Sequence, residues 1–348
     1  MKFLRWTTFA ALAAACLLPS CSFAQESTQV PAGGIISLQG APLYISKEQL
    51  TISPDHVSAD YIFRNDTPAE ITTTMAFLVP NYTLDFQRDQ LRRASFSDTE
   101  FQIDGQVTSF TVEIRALLHG QDVTAPLKEA GVDIATFGHY AQGSPDLHHL
   151  SHKLFKNLVA QGLYSLSTKT DANPTPKWTV SKRFVHDVTF TPGLPVKMEI
   201  SYTPSPGVID SIFAQPQGSE PQGSDNPAPA ALDTIGPDTQ AEMASVCTNP
   251  ALEDILKKWM TSARRNVGLT YVDFFLTGNL AWKTPVQDFT LEVDIPAAAA
   301  GGQNIPTFCW DGGPIQQTSA TMWTAKATNY VPSRDLRVGW FLMENQTF

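Results

Sequence analysis

The feature that most constrains the fold is a series of short runs in which apolar and polar residues alternate, each bounded by turn residues. In residues 57–64, Val57, Ala59, Tyr61 and Phe63 occupy every second position, with mostly polar residues between them. A period of two places these side chains on one face of a half-buried β-strand. Because each such sheet must bury its apolar face, the pattern predicts a mainly β fold.

Polar turns between the runs predict which strands are neighbours. Asn65-Asp66-Thr67-Pro68 separates residues 57–64 from a Thr-rich apolar run at residues 71–79. Two such runs around a polar turn predict a hairpin. A less regular run at residues 43–52 predicts a further strand.

The dipeptide Asp104-Gly105 is a sharper turn signal. It lies between an apolar run at residues 101–103 and a second run at residues 108–118. Asp-Gly favours a two-residue type I′ turn because both of its positions need positive φ. These strands together predict an antiparallel β-sandwich-like domain over residues 33–120.

The middle of the chain changes to helical patterns. Ser144-Pro145 predicts the start of a helix, and Gly162 predicts its end. The stripe expected to be buried consists of Leu147, Leu150, Leu154 and Leu158. We therefore expect a helical insertion over residues 121–175. Strand patterns around Thr191-Pro192-Gly193 then predict a β-hairpin region over residues 176–213.

Residues 214–238 contain a tandem near-repeat of Pro-Gln-Gly-Ser followed by an acidic residue. This composition buries too little apolar area to offset its ordering entropy, so the segment is expected to be disordered. Asn249-Pro250 then predicts a helix with an apolar face of Leu252, Ile255, Leu256 and Trp259. Further strand patterns predict a C-terminal β domain over residues 239–348, with one helix. The overall expectation is two antiparallel β-sandwich-like domains with inserted or flanking helices.

The N-terminus has the pattern of a secretory signal peptide over residues 1–24. Lys2 and Arg5 precede a charge-free apolar run, and cleavage is expected between Ala24 and Gln25. That run is too short to span a bilayer, and no later segment is long enough, so no transmembrane segment is expected in the mature chain. The alternative is lipidation at Cys21, although Pro19 fits a lipoprotein signal poorly. Either way, a periplasmic or secreted location is expected.

Cysteine usage agrees with export. Of the four cysteines, only Cys247 and Cys309 lie outside the signal peptide. In an oxidising compartment two cysteines allow one intramolecular pairing, so a Cys247–Cys309 disulfide is expected. Loss of Lys2 and Arg5 would take the net charge from −10 to −12. Such a surface repels phosphates, so nucleic acid is not an expected partner.

Several segments together resemble an exported bacterial family of unknown function, number 4424 in the domain-of-unknown-function series. The quoted matches include Tyr61-Ile62-Phe63-Arg64-Asn65-Asp66, Phe308-Cys309-Trp310-Asp311-Gly312 and Asn329-Tyr330-Val331-Pro332-Ser333-Arg334-Asp335-Leu336. The resemblance runs over nearly the whole mature chain. It implies an envelope or secreted protein, and it assigns no activity or catalytic residues.

Two groups of residues are candidates for chemistry. His148 and His152 are one helical turn apart and could hold a metal, although a solvated helix face is the favoured interpretation, and no cofactor is expected. Trp282 and Trp310 could stack on a ligand as a platform, although core packing is favoured. Cys309-Trp310-Asp311-Gly312-Gly313 could suggest a catalytic cysteine, but the disulfide uses the same residue.

No nucleophile elbow, P-loop or dinucleotide motif is present in the sequence. We therefore expect an exported protein that binds or scaffolds an unknown envelope or extracellular partner. A non-catalytic role is favoured over an enzymatic one. The alternative is a hydrolase acting on envelope or extracellular polymers, for which the sequence supplies no set of nucleophile and base.

Overall fold

The computed structural model describes residues 34–78, 82–83, 98–134, 151–165, 175–204, 206–209, 243–261, 265–278, 282–297 and 303–345. The protein is mainly β, as the alternating runs predict. The first strands are β1 (Ile35–Ser37), β2 (Tyr44–Ile52), β3 (Val57–Arg64), β4 (Ile71–Leu78), β5 (Tyr82–Thr83), β6 (Glu100–Ile103), β7 (Gln106–Val107), β8 (Thr111–Leu118) and β9 (Gln121–Asp122).

Two helices and two short strands follow: α1 (Thr124–Glu129), α2 (His152–Ala160), β10 (Tyr164–Ser165) and β11 (Thr175–Pro176). The remaining elements are β12 (Thr179–Phe190), β13 (Pro195–Tyr202), β14 (Gly207–Ile209), α3 (Pro250–Thr261), β15 (Arg265–Phe274), β16 (Val286–Asp294), β17 (Gln303–Cys309), β18 (Gln316–Gln317), β19 (Met322–Tyr330) and β20 (Leu336–Asn345).

An eight-stranded sheet forms the centre of the fold, in the order β18-β19-β16-β2-β3-β13-β6-β7. Its strands come from both ends of the described chain. The two ends meet where β2 and β16 pair in parallel, with Leu50 opposite Leu291. Both leucines are fully buried, so this pairing lies inside the core rather than at a surface.

Two smaller sheets complete the main core. One is built from β1, β4, β12, β8 and β9, with β5 beside β12, and the other has the order β14-β15-β20-β17. One cluster of buried side chains runs from Ile35 through Phe63 and Phe190 to Trp340, and so includes residues of all three sheets. The expected division into domains 33–120 and 239–348 is therefore not confirmed, because strands from both ranges share one sheet and one core.

The alternation in the sequence accurately marks the buried face of β3. Val57, Ala59, Tyr61 and Phe63 are at most 1% exposed, and the residues between them are partly exposed. The less regular pattern of β2 has a local cause, since the pairing register between β2 and β3 shifts between Ile45 and Lys47.

That shift is a β-bulge, which adds one residue to a strand and reverses the faces beyond it. It turns Glu48 into the core, where the side chain is fully buried. Burial raises the pKa of the neighbouring Tyr61 well above its ordinary value, and the Glu48 carboxylate raises it further.

Two predicted hairpins are wrong. The runs at residues 57–64 and 71–79 become β3 and β4, but β3 pairs with β2 and β13, whereas β4 pairs with β1 and β12. In the region 176–213, β12 and β13 also lie in different sheets. Each polar turn therefore carries the chain from one sheet to another. The two strands that a turn connects lie on opposite sides of one core, and each buries its apolar face in that core.

Asn65 holds these two crossings together from a fully buried position. Its amide nitrogen donates to the carbonyl oxygens of Ala69 at 2.8 Å and Phe190 at 2.9 Å. Its side-chain oxygen accepts from the backbone and hydroxyl of Thr67, and its backbone oxygen accepts from the Gly193 amide at 2.9 Å. One side chain thus joins the turn at 65–70 to the turn at 190–194.

The Asp104-Gly105 turn is confirmed. Both residues have positive φ, 50° and 78°, and Ile103 pairs with Gln106 across the turn. The return strand is shorter than expected. β7 ends at Val107, and β8 then joins the other sheet beside β12.

Helices α1 and α2 cover the outer face of the β12–β8 sheet. Leu127 and Leu158 pack there with Ala116, Trp178 and Val180. The N-cap of α2 is Ser151, whose hydroxyl accepts from the Leu154 amide, rather than the expected Ser144. Gly162 follows the helix with a φ of +73°, the left-handed conformation expected of the glycine that ends a helix.

Helix α3 begins at the predicted place, with the Asn249 side chain accepting from the Leu252 amide at 2.9 Å. Leu252 and Leu256 are buried against β15 and β20. Ile255 was expected on the same face but is 46% exposed, because the contact with the sheet is narrower than the apolar stripe.

Several expectations concern residues outside the described ranges. They are the signal peptide at 1–24 with cleavage between Ala24 and Gln25, lipidation of Cys21, the disordered segment at 214–238, and His148. Helix α2 begins at His152, whose side chain is likewise not described. In the part of the chain that the structure describes, no helix is long and apolar enough to cross a membrane.

A candidate binding pocket beside the disulfide

The expected disulfide is present and joins Cys247 to Cys309, with 5.3 Å between their Cα atoms. Cys309 ends β17, and Cys247 lies in the turn that precedes α3. Cys247 has a φ of +58°, so the turn presents its sulfur toward β17 from a left-handed conformation. The bond closes 62 residues of chain and fixes the start of α3 to the four-stranded sheet.

Asp311 anchors the loop between β19 and β20 from one side. Its carboxylate accepts from the Tyr330 hydroxyl at 2.6 Å and from the Ser333 amide at 2.6 Å, and also from the Ser333 hydroxyl. Partial burial acts to raise the pKa of Asp311, but the hydrogen bonds from Ser333 and Tyr330 outweigh it and lower the pKa below its ordinary value.

The same loop is anchored at its other end by Asp335. Its Oδ1 atom accepts from the Thr277 amide at 2.9 Å and from the Thr277 hydroxyl at 2.7 Å. Thr277 follows β15, so residues 331–335 are tied to both sides of the sheet end. Arg334 lies between these two fixed points.

Arg337 is held in place from three directions. Its guanidinium forms a bidentate pair with Asp273, with Nη2 at 2.8 Å from Oδ2. Its Nη1 atom donates to the Ser245 hydroxyl at 2.7 Å, and the group lies 4.5 Å from the centre of the Tyr271 ring. Bidentate pairing satisfies a guanidinium in both charge and geometry, so Arg337 acts as a structural tie.

Arg334 differs from Arg337 in its contacts. It is exposed, and its hydrogen-bond contact in the described part of the chain is to the Cys247 sulfur, with Nη1 at 3.5 Å. No carboxylate of the described residues lies within ion-pair distance of it. Among the described residues, Arg334 is therefore a cation without a carboxylate partner, and it lies beside the disulfide.

These groups surround a pocket of about 460 Å³. Both cysteines, both arginines and their neighbours form its wall: Ala244, Ser245, Cys247, Asp273, Cys309, Ser333, Arg334, Asp335, Leu336 and Arg337. The volume lies within the range of small-ligand sites, roughly 300–1,000 Å³.

The two tryptophans do not form a platform. Trp282 is 6% exposed and packs in the main core against Phe63, with ring centres 5.0 Å apart. Trp310 is half-buried, stacked on Phe289 at 5.3 Å and close to Tyr330 at 4.9 Å. Its indole also lies against Gly312, where a Cβ atom would be 2.1 Å from the ring, so glycine is required there.

The interpretation of His148 and His152 as a solvated helix face, with metal binding as the alternative, lies outside the described side chains and remains a prediction. Among the described residues, no group of three or more His, Cys, Asp or Glu side chains is arranged to hold a metal ion.

Asp273, Arg334 and Arg337 were not predicted from the sequence as site residues. Arg334 and Arg337 lie in or next to the segment 329–336, which was singled out only for its resemblance to a family. The available signal was that this segment and Cys309 each lie next to a polar turn. The predicted disulfide at Cys309 could have indicated that these turns lie close together. Asp273 gave no signal, because an aspartate at the end of a strand is common.

The chain was compared with known proteins. The family model described as Domain of unknown function (DUF4424) matches residues 24–338. No curated protein sequence gives a significant match. A solved structure from Legionella pneumophila, provisionally named a nutrient binding protein, is 11% identical, covers 90% of this chain and 72% of its own, and has a TM-score of 0.41.

The M1 zinc metallopeptidase of Deinococcus radiodurans is also similar, at 11% identity and a TM-score of 0.28. The match covers 87% of this chain and 43% of the peptidase, so this chain corresponds to less than half of that protein's length. Likenesses this low do not bear on function.

Proposed function

The chain belongs to the DUF4424 family, and from that premise we propose that it is an exported protein of the cell envelope that binds a small ligand without transforming it. The observation that carries the proposal is the pocket beside the disulfide. Its wall combines an apolar part, formed by Ala244 and the disulfide, with six polar or charged residues, several of which are fixed by hydrogen bonds. Fixed polar groups beside apolar surface can orient a small ligand.

Two further observations support export. The first is the Cys247–Cys309 disulfide, because disulfide bonds form and persist in oxidising compartments. The family match begins at residue 24, beside the expected signal-peptide cleavage between Ala24 and Gln25.

The chemistry at the pocket favours binding over hydrolysis. Two hydroxyl–carboxylate pairs lie in this region, because the Ser333 hydroxyl donates to Asp311 and the Thr277 hydroxyl donates to Asp335. However, the pKa of Asp311 is lowered by its hydrogen bonds, and a carboxylate with a low pKa is a poor general base. Both Asp311 oxygens are moreover occupied in holding the loop.

The binding role is tested by thermal unfolding of the mature protein against separate panels of amino acids, sugars, small carboxylates and phosphate esters. A ligand present at about 100 times its Kd should stabilise the fold by about 2.7 kcal/mol. Ala244→Trp should abolish the shift, because Ala244 is exposed on the pocket wall and an indole there fills the cavity.

Ile255→Trp is the matched control, since it adds the same ring at an exposed position of α3 outside the pocket. A ligand shift that survives Ala244→Trp, or a bound compound that mass spectrometry finds cleaved, contradicts the proposal. Export is tested by the intact mass of the purified protein, which should begin at Gln25. A lipid on Cys21 would instead make it an anchored envelope protein.

A further inference from the structure

The two arginines of the pocket have different roles, and the difference indicates what the pocket binds. Arg337 is neutralised by the bidentate contact with Asp273 and is further held by Ser245. Arg334 has no carboxylate partner among the described residues, although it lines the same cavity. A guanidinium that is left unpaired in a cavity has the geometry to hold a carboxylate or phosphate through two parallel hydrogen bonds.

The backbone around Arg334 is already fixed. Ser333 is bound by Asp311 on one side, and Asp335 binds Thr277 on the other. A ligand therefore has to order only the arginine side chain and not the loop, which lowers the entropic cost of binding. A surface arginine on a mobile loop would not have this property.

The other charges limit the ligand further. Asp335 lies on the same wall as Arg334, so a ligand with a second anionic group would meet like charge close by. The disulfide and Ala244 offer apolar surface beside the guanidinium. The wall thus suits one anionic group attached to a small apolar part.

Resting on the proposed binding role, we propose that Arg334 is the anion-binding residue of this pocket and that the ligand carries a single carboxylate or phosphate group on a small apolar body. The two sources share oxyanion chemistry, and the experiment separates them.

The test uses the mature protein, labelled with ¹⁵N, and three probes: butyrate, methyl phosphate, and butyramide as a neutral compound of the same shape as butyrate. Fragments of this size bind at millimolar affinity, so titration to about 50 mM should reach a measurable response. Butyrate, methyl phosphate or both should shift resonances of the pocket residues, and butyramide should not. The response should weaken as salt is added.

Three variants then assign the effect to one side chain. Arg334→Gln should weaken binding of the responding anion at least tenfold, and Arg334→Lys should restore only part of it, because an ammonium cannot form the bidentate contact. Lys326→Ala removes an exposed cation of β19 outside the pocket and should leave binding unchanged. Since Arg334 is exposed, the thermal midpoint of each Arg334 variant should match that of the parent protein.

The inference is overturned if neither anion shifts pocket resonances, if butyramide binds as well as butyrate, or if Arg334→Gln binds the anion unchanged. The broader proposal fails separately. A neutral ligand that Ala244→Trp excludes and Arg334→Gln still binds would preserve the binding role and remove the anion assignment.

Discussion

At the scale of single residues, polar side chains at turns join parts of the fold that are distant in sequence. Asn65 is fully buried and uses its amide to join two crossings between sheets. Asp311 joins Tyr330 and Ser333 in the loop beside the pocket. A buried polar group such as Asn65 is costly to remove, because its partners lose hydrogen bonds without regaining water.

Asn65→Ala is expected to lower the free energy of unfolding by about 3 kcal/mol, because the carbonyls of Ala69 and Phe190 and the amide of Thr67 lose their partner together. Urea unfolding measures the change. Gln106→Ala, an exposed amide in β7, is the control and should change stability by less than about 0.5 kcal/mol. A cost for Asn65→Ala as small as that of the control would show that the two crossings form without this residue.

Asp311 predicts a specific pH dependence. Its pKa is lowered in the folded state, so the folded protein favours the charged form and gains stability above the unfolded pKa of about 3.9. That contribution is lost as pH falls below about 4 and through the lower, folded pKa.

Asp311→Asn should therefore cost about 1 kcal/mol at pH 7, a modest figure because the side chain is exposed, and should cost less at pH 3. Urea unfolding at the two pH values checks this. A variant with the same deficit at both values would mean that the charge of Asp311 plays no part.

At the scale of elements, helix α3 depends on the sheet beneath it and on the disulfide that precedes it. A helix of 12 residues is marginal alone, and this one is stabilised by packing Leu252 and Leu256 on β15 and β20. The disulfide fixes the turn before it to the end of β17.

Leu256→Ala is expected to cost about 2–5 kcal/mol, because the side chain is fully buried and leaves a cavity. Ile255→Ala, one residue away and 46% exposed, should cost less than about 1 kcal/mol. Urea unfolding of both variants measures the two losses of stability. Equal losses would place both residues on the buried face that the sequence pattern predicted.

Replacement of either cysteine by serine is expected to destabilise the protein equally, by about 2–5 kcal/mol, since each change opens the same 62-residue loop. The Cys247→Ser/Cys309→Ser double variant should lose no more than either single variant. Non-reducing urea unfolding and peptide mass mapping test this, and free thiols in the native protein would contradict it.

At the scale of the whole molecule, the parallel pairing of β2 with β16 makes the two ends of the chain parts of one structure. Leu50 and Leu291 face each other across this pairing, and both are fully buried. The main core continues from one end to the other. Loss of packing between β2 and β16 should therefore destabilise the strands on both sides of this pairing.

Leu291→Ala is expected to lower the free energy of unfolding by about 3 kcal/mol. It should also speed amide hydrogen exchange in β3 as well as in β19, because both halves of the sheet are joined through the pairing of β2 with β16. Thr290→Ala, on the opposite face of β16, should change neither exchange rate appreciably. Faster exchange confined to β19 would indicate two independent domains, as the sequence alone suggested.

The sequence by itself determined the local features of this protein, because each depends on neighbours in the chain. Alternation in residues 57–64 marked the buried face of β3, Asp104-Gly105 set a turn with positive φ, and Asn249 capped α3. The count of cysteines outside the expected signal peptide was enough to predict the Cys247–Cys309 bond.

Only the tertiary structure decided which strands are neighbours and where the pocket lies. A polar turn between two apolar runs is the same in sequence whether the second strand returns to its own sheet or crosses to another. The choice depends on how much apolar area each arrangement buries across the whole core. Asp273, Arg334 and Arg337 meet at the pocket for the same reason, since pairing of β15 with β20 and the disulfide from β17 bring them together.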